Sequence, residues 1–550
     1  MRRKPQLGEK KREGRKRTFV DSSLAEWSDK QRQLRLDILS CSSAERRAFM
    51  KTERNKILKQ IRDRVRLLKQ EAIEAKVAAV DKCKDCAKTF QALREVRDFG
   101  QQKQKLVVNN HQGDRIMDDT EAAEFVRTYF VSQFSDVSRS PIEAHVPNLQ
   151  PLQNPIQPAE VETAIKKLKN RKAVGLDTLC AELLKNGPPV LSVIIADVIN
   201  KAMANGEDLE LGVGKLVTLQ KPGKPAGPVK NIRPIVLLPL LRKLLSIIVL
   251  NRIRKAVDMY LSPAQSGFRC GRSCADIVWA HRWLVAKTLR YKALVHILGI
   301  DMSRAFDTID RAKLLDIIRN IPNINNDDFR LIQFLLANTT LQVQFNGILT
   351  APFTSNIGSP QGDGLSPILF AIYLESAIQS LRSHGLVRPE ADKLIGLPES
   401  LVCADDTDLV SFVREYLDRL ITVLGPLFRE DFKLIVNDDK TENTLVGHSD
   451  MGADQKAWRN TKKLGSLLGV EEDVTRRIQL ANVSLNKLEK LWKHRSLVAL
   501  DVRLKAYRAL VESVLLYNSG TWALSSLLAD KIDRAQRKML RRVLGVTWRD

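Results

Sequence analysis

Leu401-Val402-Cys403-Ala404-Asp405-Asp406-Thr407-Asp408-Leu409-Val410 is an apolar run, two adjacent carboxylates and a second, mostly apolar run. This pattern predicts a tight β-hairpin with the acids at its bend. Neighbouring carboxylates repel each other and lose solvation when buried. Something positive must sit there to hold both ionised, and a divalent metal is the usual answer. Taken alone, an Asp-Asp pair more often comes from a solvated turn.

The pair does not stand alone. Upstream, Ala293-Leu294-Val295-His296-Ile297-Leu298-Gly299-Ile300-Asp301 reads as a buried strand that ends on a carboxylate. If that strand lies beside the hairpin, Asp301, Asp405 and Asp406 converge. Three acids around two Mg²⁺ ions make the site of an in-line phosphoryl or nucleotidyl transfer.

Composition narrows the field. A chain of 550 residues can bury a large core, and its length suggests about three or four domains or lobes. The 44% hydrophobic and 28% charged content is that of an ordinary globular protein. Lys and Arg number 89 against 64 Asp and Glu, a net charge of +25 that points to a polyanionic partner, most often nucleic acid. Seven scattered cysteines suggest a reducing compartment without a disulfide framework. Cys83 and Cys86 form one CxxC, but no second pair follows at zinc-finger spacing, so surface thiols are the plainer reading. The N-terminus has no apolar segment resembling a secretory signal. The most apolar run, Ile235 to Leu250, is interrupted by Arg242 and Lys243 and reads as a core helix; no membrane partner is expected.

Along the chain, residues 1–70 hold 22 basic and 9 acidic side chains. Three basic clusters, Arg2-Arg3-Lys4, Lys10-Lys11-Arg12 and Arg15-Lys16-Arg17, suit a nuclear-import signal or a nucleic-acid-binding arm, and equally a solvated tail. Ile61, Val65, Leu68, Ala72, Ala75 and Ala79 make a helical seam whose alanines suggest packing on the protein's own body. Phe90 to Phe134 reads as mostly helical, with a turn at His111-Gln112-Gly113-Asp114. Ser135 to Pro158 carries five prolines and reads as a linker. Lys215 to Gln220 is a short strand. It leads through Lys221-Pro222-Gly223-Lys224-Pro225 to a return segment, Asn231-Ile232-Arg233-Pro234-Ile235, a basic hairpin able to reach a triphosphate. Leu341 to Phe345 alternates as a strand before the hairpin signal Asn346-Gly347. Gly358-Ser359-Pro360-Gln361-Gly362-Asp363-Gly364 precedes an apolar helix, and glycines there let a ligand or template approach the backbone. From Val474 onward the chain is helical and basic. Arg534, Arg537, Lys538, Arg541 and Arg542 lie opposite Ile532, Met539, Leu540 and Val543, a basic face that is either a solvated surface or a duplex-backbone contact, and the polyanionic partner favours contact.

From roughly residue 90 to the end, these blocks resemble the reverse transcriptases of non-LTR (LINE-type) retrotransposons, in the family's order and at plausible spacing. Ala159 to Lys185 resembles the helical segment before the fingers. Lys221 and Asn231-Ile232-Arg233-Pro234-Ile235 resemble the fingers motifs. Gln265-Ser266-Gly267-Phe268-Arg269 resembles the Gly-Phe-Arg signature. Asp301 with Ala305-Phe306-Asp307, Pro360-Gln361-Gly362-Asp363 and Cys403-Ala404-Asp405-Asp406 resemble the palm motifs. Asn437 with Lys440-Thr441 resembles the next palm motif, and Lys463-Leu464-Gly465 the primer-grip region.

The resemblance implies an α/β fold with an α+β palm: a right-hand polymerase with a helical N-terminal extension. The expected divisions are a basic arm over 1–70, a helical extension and linker over 71–158, fingers and palm over 159–472 with a core at about 205–472, and a helical thumb over 473–550. It implies that Asp301, Asp405 and Asp406 hold two Mg²⁺ ions, with Mn²⁺ as a substitute. Lys221 and Arg233 would contact the triphosphate, Phe306 would stand against the sugar 2′ position, and Gln361 and Gly362 would line the template–nucleotide pocket. Lys440 is a candidate general acid; a surface lysine is the alternative, since no spacing places it near the phosphates. The expected partners are an RNA template, a DNA primer or target and dNTPs, in the nucleus or in a cytoplasmic ribonucleoprotein. Three departures from the family are visible. Cys403 stands where an aromatic ring is usual, and Val174 stands where proline is usual. No endonuclease region is recognisable, so a separate endonuclease is expected to supply the nick, and the chain reads as part of an element's open reading frame or as a copy truncated at both ends. The rival reading is a catalytically silent remnant that binds nucleic acid. An RNA-directed RNA polymerase shares the palm acids but not Phe306 or the match outside the palm.

Overall fold

Val295 to Ile300 is apolar on both sides of its pleat because both sides are covered. In the computed structural model this strand lies inside an antiparallel sheet. Leu298 and Ile300 join the core that contains Phe370, Leu374 and Leu420. Val295 and Ile297 join a second core with Ile277, Leu284 and Trp458. The structure describes residues 21–82, 86–97, 105–139, 142–144, 149–337, 339–360, 362–384, 386–437 and 440–546. The basic clusters of the first seventeen residues, Cys83 of the CxxC pair and Gln361 lie outside these residues.

In chain order the strands are β1 (Val213–Gln220), β2 (Ile232–Leu237), β3 (Val295–Ile300), β4 (Met302–Ser303), β5 (Thr339–Phe345), β6 (Ile348–Leu349), β7 (Phe353–Ser355), β8 (Ser400–Cys403), β9 (Asp406–Ser411), β10 (Ile435–Val436), β11 (Glu442–Val446), β12 (Lys462–Lys463) and β13 (Ser466–Leu467). One sheet runs β2-β1-β5-β6, with β7 also on β5. A four-stranded sheet runs β11-β3-β9-β8. This mixture of helix and antiparallel sheet is the palm-type architecture expected from the sequence.

The first sheet is the predicted basic hairpin extended by β5. β1 pairs antiparallel with β2, from Lys215 opposite Leu237 to Gln220 opposite Ile232. It pairs parallel with β5. At the end of β5, Asn346 and Gly347 both take positive φ, 48° and 93°, as a two-residue hairpin requires. The helix Asp119–Phe134 covers this sheet, with Val126, Phe130 and Phe134 packed among Leu216, Val343 and Phe345.

The chain divides into two compact units. One comprises Met1–Gln102, Val474–Tyr517 and Leu524–Asp550, and the other Lys103–Asp473 with Asn518–Ala523. The expected cut after residue 472 lies one residue from this division. The expected extension 71–158 does not hold together: it is split after Gln102, because Asp119–Phe134 buries its apolar face on the β1–β5 sheet. The cut at residue 70 falls inside one continuous helix, Ala44–Asp81.

Three local expectations also change. The seam on that helix is Ile73, Val77 and Val80, not the alanines: Val77 and Val80 are fully buried while Ala75 and Ala79 are exposed. The valines remove more apolar surface from water. The apolar run Ile235–Leu250 is not one helix. It ends β2 and then, after Pro239, opens the helix Leu240–Tyr260, because proline is poorly placed inside either element. Within Ser135–Pro158, Leu152 and Ile156 are buried in the larger core, so this stretch is anchored at its C-terminal end rather than a free linker.

Candidate active site

The predicted hairpin is present and its register fixes the acids. β8 pairs with β9 from Ser400 opposite Leu409 to Cys403 opposite Asp406, leaving Ala404 and Asp405 as the turn. β3 pairs with β9 on its other edge, with Ile300 opposite Thr407. Asp301 follows the last paired residue of β3, so it lies across from Asp406. Two stretches about a hundred residues apart, one ending on Asp301 and one carrying the adjacent Asp405 and Asp406, therefore meet at adjacent strand ends.

A segment singled out only by its Gly-Phe-Arg holds the turn in place. Ser266 N–H donates to the Val402 carbonyl at 2.9 Å and Val402 N–H donates to Ala264 at 3.1 Å, so this segment runs as an extra edge along β8. The Gln265 side-chain oxygen accepts from Gly267 N–H at 2.7 Å and from Ala404 N–H at 3.2 Å. Ala404 has φ 63°, a conformation costly for a residue with a Cβ and found where surroundings enforce it. A Cβ on Gly267 would come within 2.3 Å of the Ala404 nitrogen. Only glycine fits beside this turn.

The electrostatics fit a cation-binding cluster. Burial raises the Asp406 carboxyl above its ordinary range, and the charges of Asp405, Asp408 and Asp301 raise it further. Asp301 accepts from Lys440 Nζ at 2.8 Å and from Asn437 Nδ2 at 3.4 Å, and its carbonyl accepts from Asn437 N–H at 2.8 Å. Among the described residues no three His, Cys, Asp or Glu side chains are drawn together at metal-ligand distance. The donors themselves, hard carboxylate oxygens in mutual repulsion, suit Mg²⁺ or Mn²⁺, and a divalent cation would relieve the repulsion felt at Asp406.

The predicted cations gather on the same side. Lys221 N–H bonds the Asn231 carbonyl at 2.9 Å, and its Nζ bonds the Lys230 carbonyl at 2.7 Å. Burial lowers the Lys221 ammonium below its usual value, and the charges of Arg233 and Lys440 lower it further. Lys221, Arg233 and Lys440 thus share one electrostatic neighbourhood, although Lys440 is far from the other two in sequence. Lys440 is an exposed lysine, as the surface alternative has it, and it is also paired with Asp301.

Phe306 is half-buried. Its ring centroid is 4.5 Å from that of Phe370 and 6.3 Å, edge-on, from that of Phe268. The following glycine-rich segment is laid against it. Ser359 N–H bonds the Phe306 carbonyl and Gly358 N–H bonds the Ile309 carbonyl, both at 2.9 Å. Gly362 has φ 129°, and a Cβ there would meet the Val236 carbonyl oxygen at 2.2 Å. The glycine predicted to line the pocket is therefore also required for close packing on β2.

Several residues hold the site in ways the sequence did not show, and two of them, Arg311 and His281, belong to no motif quoted above. Arg311 is fully buried and donates to the carbonyls of Leu336, Ser355, Ile357 and Gly358 and to the hydroxyls of Thr339 and Ser355. Burial, then the charge of Arg242, lowers its guanidinium to about 9. Asp363 forms a buried ion pair with Arg242 at 2.8 Å. That arginine is the same residue whose charge interrupts the apolar run. Behind the acids, Asp408 lies 2.9 Å from His281 Nε2 and 2.5 Å from Lys463 Nζ, tying the helix Cys274–Tyr291 and β12 to β9. Burial alone would raise the Asp408 carboxyl, but His281 and Lys463 outweigh it and hold it below the usual range.

The sequence profile of the reverse transcriptase (RNA-dependent DNA polymerase) family matches residues 219–503. Among curated proteins, the RNA-directed DNA polymerase from mobile element jockey of Drosophila funebris is 24% identical over 475 residues, 80% of this chain and 50% of that protein. The probable RNA-directed DNA polymerase from transposon X-element of Drosophila melanogaster is 28% identical over 258 residues, 46% of this chain and 27% of that protein. The chain thus spans half or less of the length of these relatives. A solved structure, apo telomerase from Candida tropicalis, superposes with a TM-score of 0.36 at 13% identity, covering 61% of each chain; so loose a superposition carries no weight here.

Proposed function

The chain belongs to the reverse transcriptase (RNA-dependent DNA polymerase) family, in its non-LTR retrotransposon branch, and on that premise we propose that it extends a DNA 3′ end along an RNA template with dNTPs. The observation that carries this reading is the meeting of Asp301 with Asp405 and Asp406 at adjacent strand ends, beside the cationic group of Lys221, Arg233 and Lys440.

The family generally uses divalent metals. Two Mg²⁺ ions held by Asp301, Asp405 and Asp406 would supply positive charge at the primer hydroxyl and at the reacting phosphate. The chain's own residues do the rest. Lys221 and Arg233 bind the triphosphate. The primer 3′-oxygen attacks the α-phosphorus, gives its proton to solvent water, and the bond to the bridging oxygen of pyrophosphate breaks. Lys440, held by Asp301, gives a proton to that leaving group. Phe306, fixed by Phe370, fills the space a 2′-hydroxyl would need. Gly362, whose missing side chain makes room for the Val236 carbonyl, is assigned to the template–nucleotide pocket from the family motif. Gln361 is assigned the same pocket from the family motif alone. The basic residues of the first seventeen suit a nuclear-import signal or a nucleic-acid-binding arm on composition alone.

The test is label incorporation from dTTP on a poly(rA)/oligo(dT) hybrid. The proposal expects incorporation with Mg²⁺, none after chelation and none on poly(rA) without primer. Binding of the hybrid with no incorporation under any divalent cation would support the silent remnant instead.

A further inference from the structure

The helix Cys274–Tyr291 has two faces. One is buried and carries His281 to Asp408. On the other, Trp279, Trp283, Lys287 and Tyr291 recur every four residues, and side chains at that spacing stack along one helix face. Trp279 is 57% exposed and Tyr291 56%. Trp283 is half-buried and anchored on the core around Ile277 and Leu284. The Lys287 ammonium sits between two rings, 5.3 Å from the centre of Trp283 and 5.4 Å from that of Tyr291. The Arg290 guanidinium lies 5.7 Å from Tyr291. Beside Trp279 is a cavity of about 510 Å³, whose walls include Arg272, Ile277, Asp276 and Arg382 paired with Glu399.

We propose that this aromatic and basic ridge is a binding site for single-stranded nucleic acid, separate from the cleft around the acids. The chemistry selects the ligand. Exposed rings interleaved with cations offer π-faces for bases and charge for phosphates. Rings one helical turn apart stand about 6 Å from each other along the axis. Bases stacked in a duplex strand advance only about 3.4 Å, so the ridge matches bases splayed apart. A protein partner fits less well: a lysine at the centre of the patch is what interface cores avoid. The net charge of +25 favours a polyanion. The cavity lined by Asp301, Asp406 and Lys440 shares no residue with the ridge or with the cavity beside Trp279. The nucleotides held here are therefore not those being copied at that instant. The site suits a length of template or target strand outside the duplex.

The test compares wild type with the double variant Trp279→Ala, Tyr291→Ala. Both side chains are more than half exposed, and far-ultraviolet circular dichroism and melting temperature check the fold. Fluorescence anisotropy is read with labelled oligo(U) and with an RNA duplex of equal length at moderate salt, together with light scattering. The proposal expects oligo(U) binding to weaken by about tenfold or more, duplex binding to be unchanged, and oligo(U) to quench wild-type tryptophan fluorescence. Unchanged oligo(U) affinity overturns it. So does an equal loss on the duplex, which would make the ridge a general electrostatic surface, or a change in oligomeric state with RNA affinity intact, which would make it a protein interface. None of these readouts requires polymerase activity, so this inference can fail while the proposed function stands, and the reverse.

Discussion

At the scale of single residues, Phe306 and Asp307 are neighbours with different tasks. Phe306 is held by Phe370 on one side and Phe268 on the other. Phe306→Ala is expected to raise ribonucleotide incorporation relative to dNTP, read as the ratio of kcat/KM values; an unchanged ratio removes the ring from sugar selection. Asp307 is buried, and its Oδ1 has no hydrogen-bond partner among the described residues. Burial pushes its carboxyl up to about 7, against the opposing charges of Arg304 and Lys221. A raised folded-state pKa means the folded chain keeps a proton that the unfolded chain releases between about pH 4 and 7, so stability falls as pH rises through that window. Asp307→Asn is therefore expected to be more stable than wild type above pH 7, by at most about 4 kcal/mol, with the gap closing near pH 4. Denaturant melts across that range measure it. The acids were legible as residues because adjacent carboxylates between apolar runs are chemically unusual. Asp307 was legible only as part of a motif, since its burial depends on Gly358, whose absent Cβ would otherwise stand 2.7 Å from the Asp307 carbonyl. Cys403, expected to mark a missing ring near the primer end, is buried with its Sγ 3.3 Å from that of Cys274.

At the scale of elements, the sequence told most where periodicity and turn chemistry agree. The β8–β9 hairpin, β3 and the Asn346-Gly347 turn were readable because apolar runs and turn residues alternate there. The supports of the glycine-rich segment were not readable, because they depend on which carbonyls tertiary folding brings together. Arg311 is the clearest case. It sits at the start of the helix Arg311–Arg319 and ties down residues 355–358, just ahead of the proposed nucleotide pocket. Arg311→Met would leave these buried acceptors unmatched, and a loss of about 3 kcal/mol or more is expected. Urea unfolding reads the loss, and hydrogen exchange should show it spread to Ile357–Ser359. A loss under about 1 kcal/mol would mean that water replaces the guanidinium. Likewise, the change from strand to helix within Ile235–Leu250 was hidden because both elements are buried, and an apolar run carries no period when every side is covered.

For the molecule as a whole, the division into units is not the order of the sequence. Helix Ala44–Asp81 and the C-terminal helices share one core, in which Val77 and Val80 meet Leu485, Leu491, Tyr507 and Met539. No local pattern could pair segments four hundred residues apart. Val80→Ala is expected to cost about 2 kcal/mol and to lower hydrogen-exchange protection in Ser526–Leu544 as well as in its own helix. Loss confined to Ala44–Asp81 would mean the two segments do not unfold together. The central claim remains the convergence of Asp301 with the adjacent pair Asp405 and Asp406 into one reaction centre. Its most direct test is single-turnover primer extension on poly(rA)/oligo(dT), comparing wild type with Asp405→Ala, with hybrid binding measured on the same samples. Extension by wild type, a fall of about a thousandfold in the variant and equal hybrid binding are predicted. Equal extension by both proteins would contradict the account.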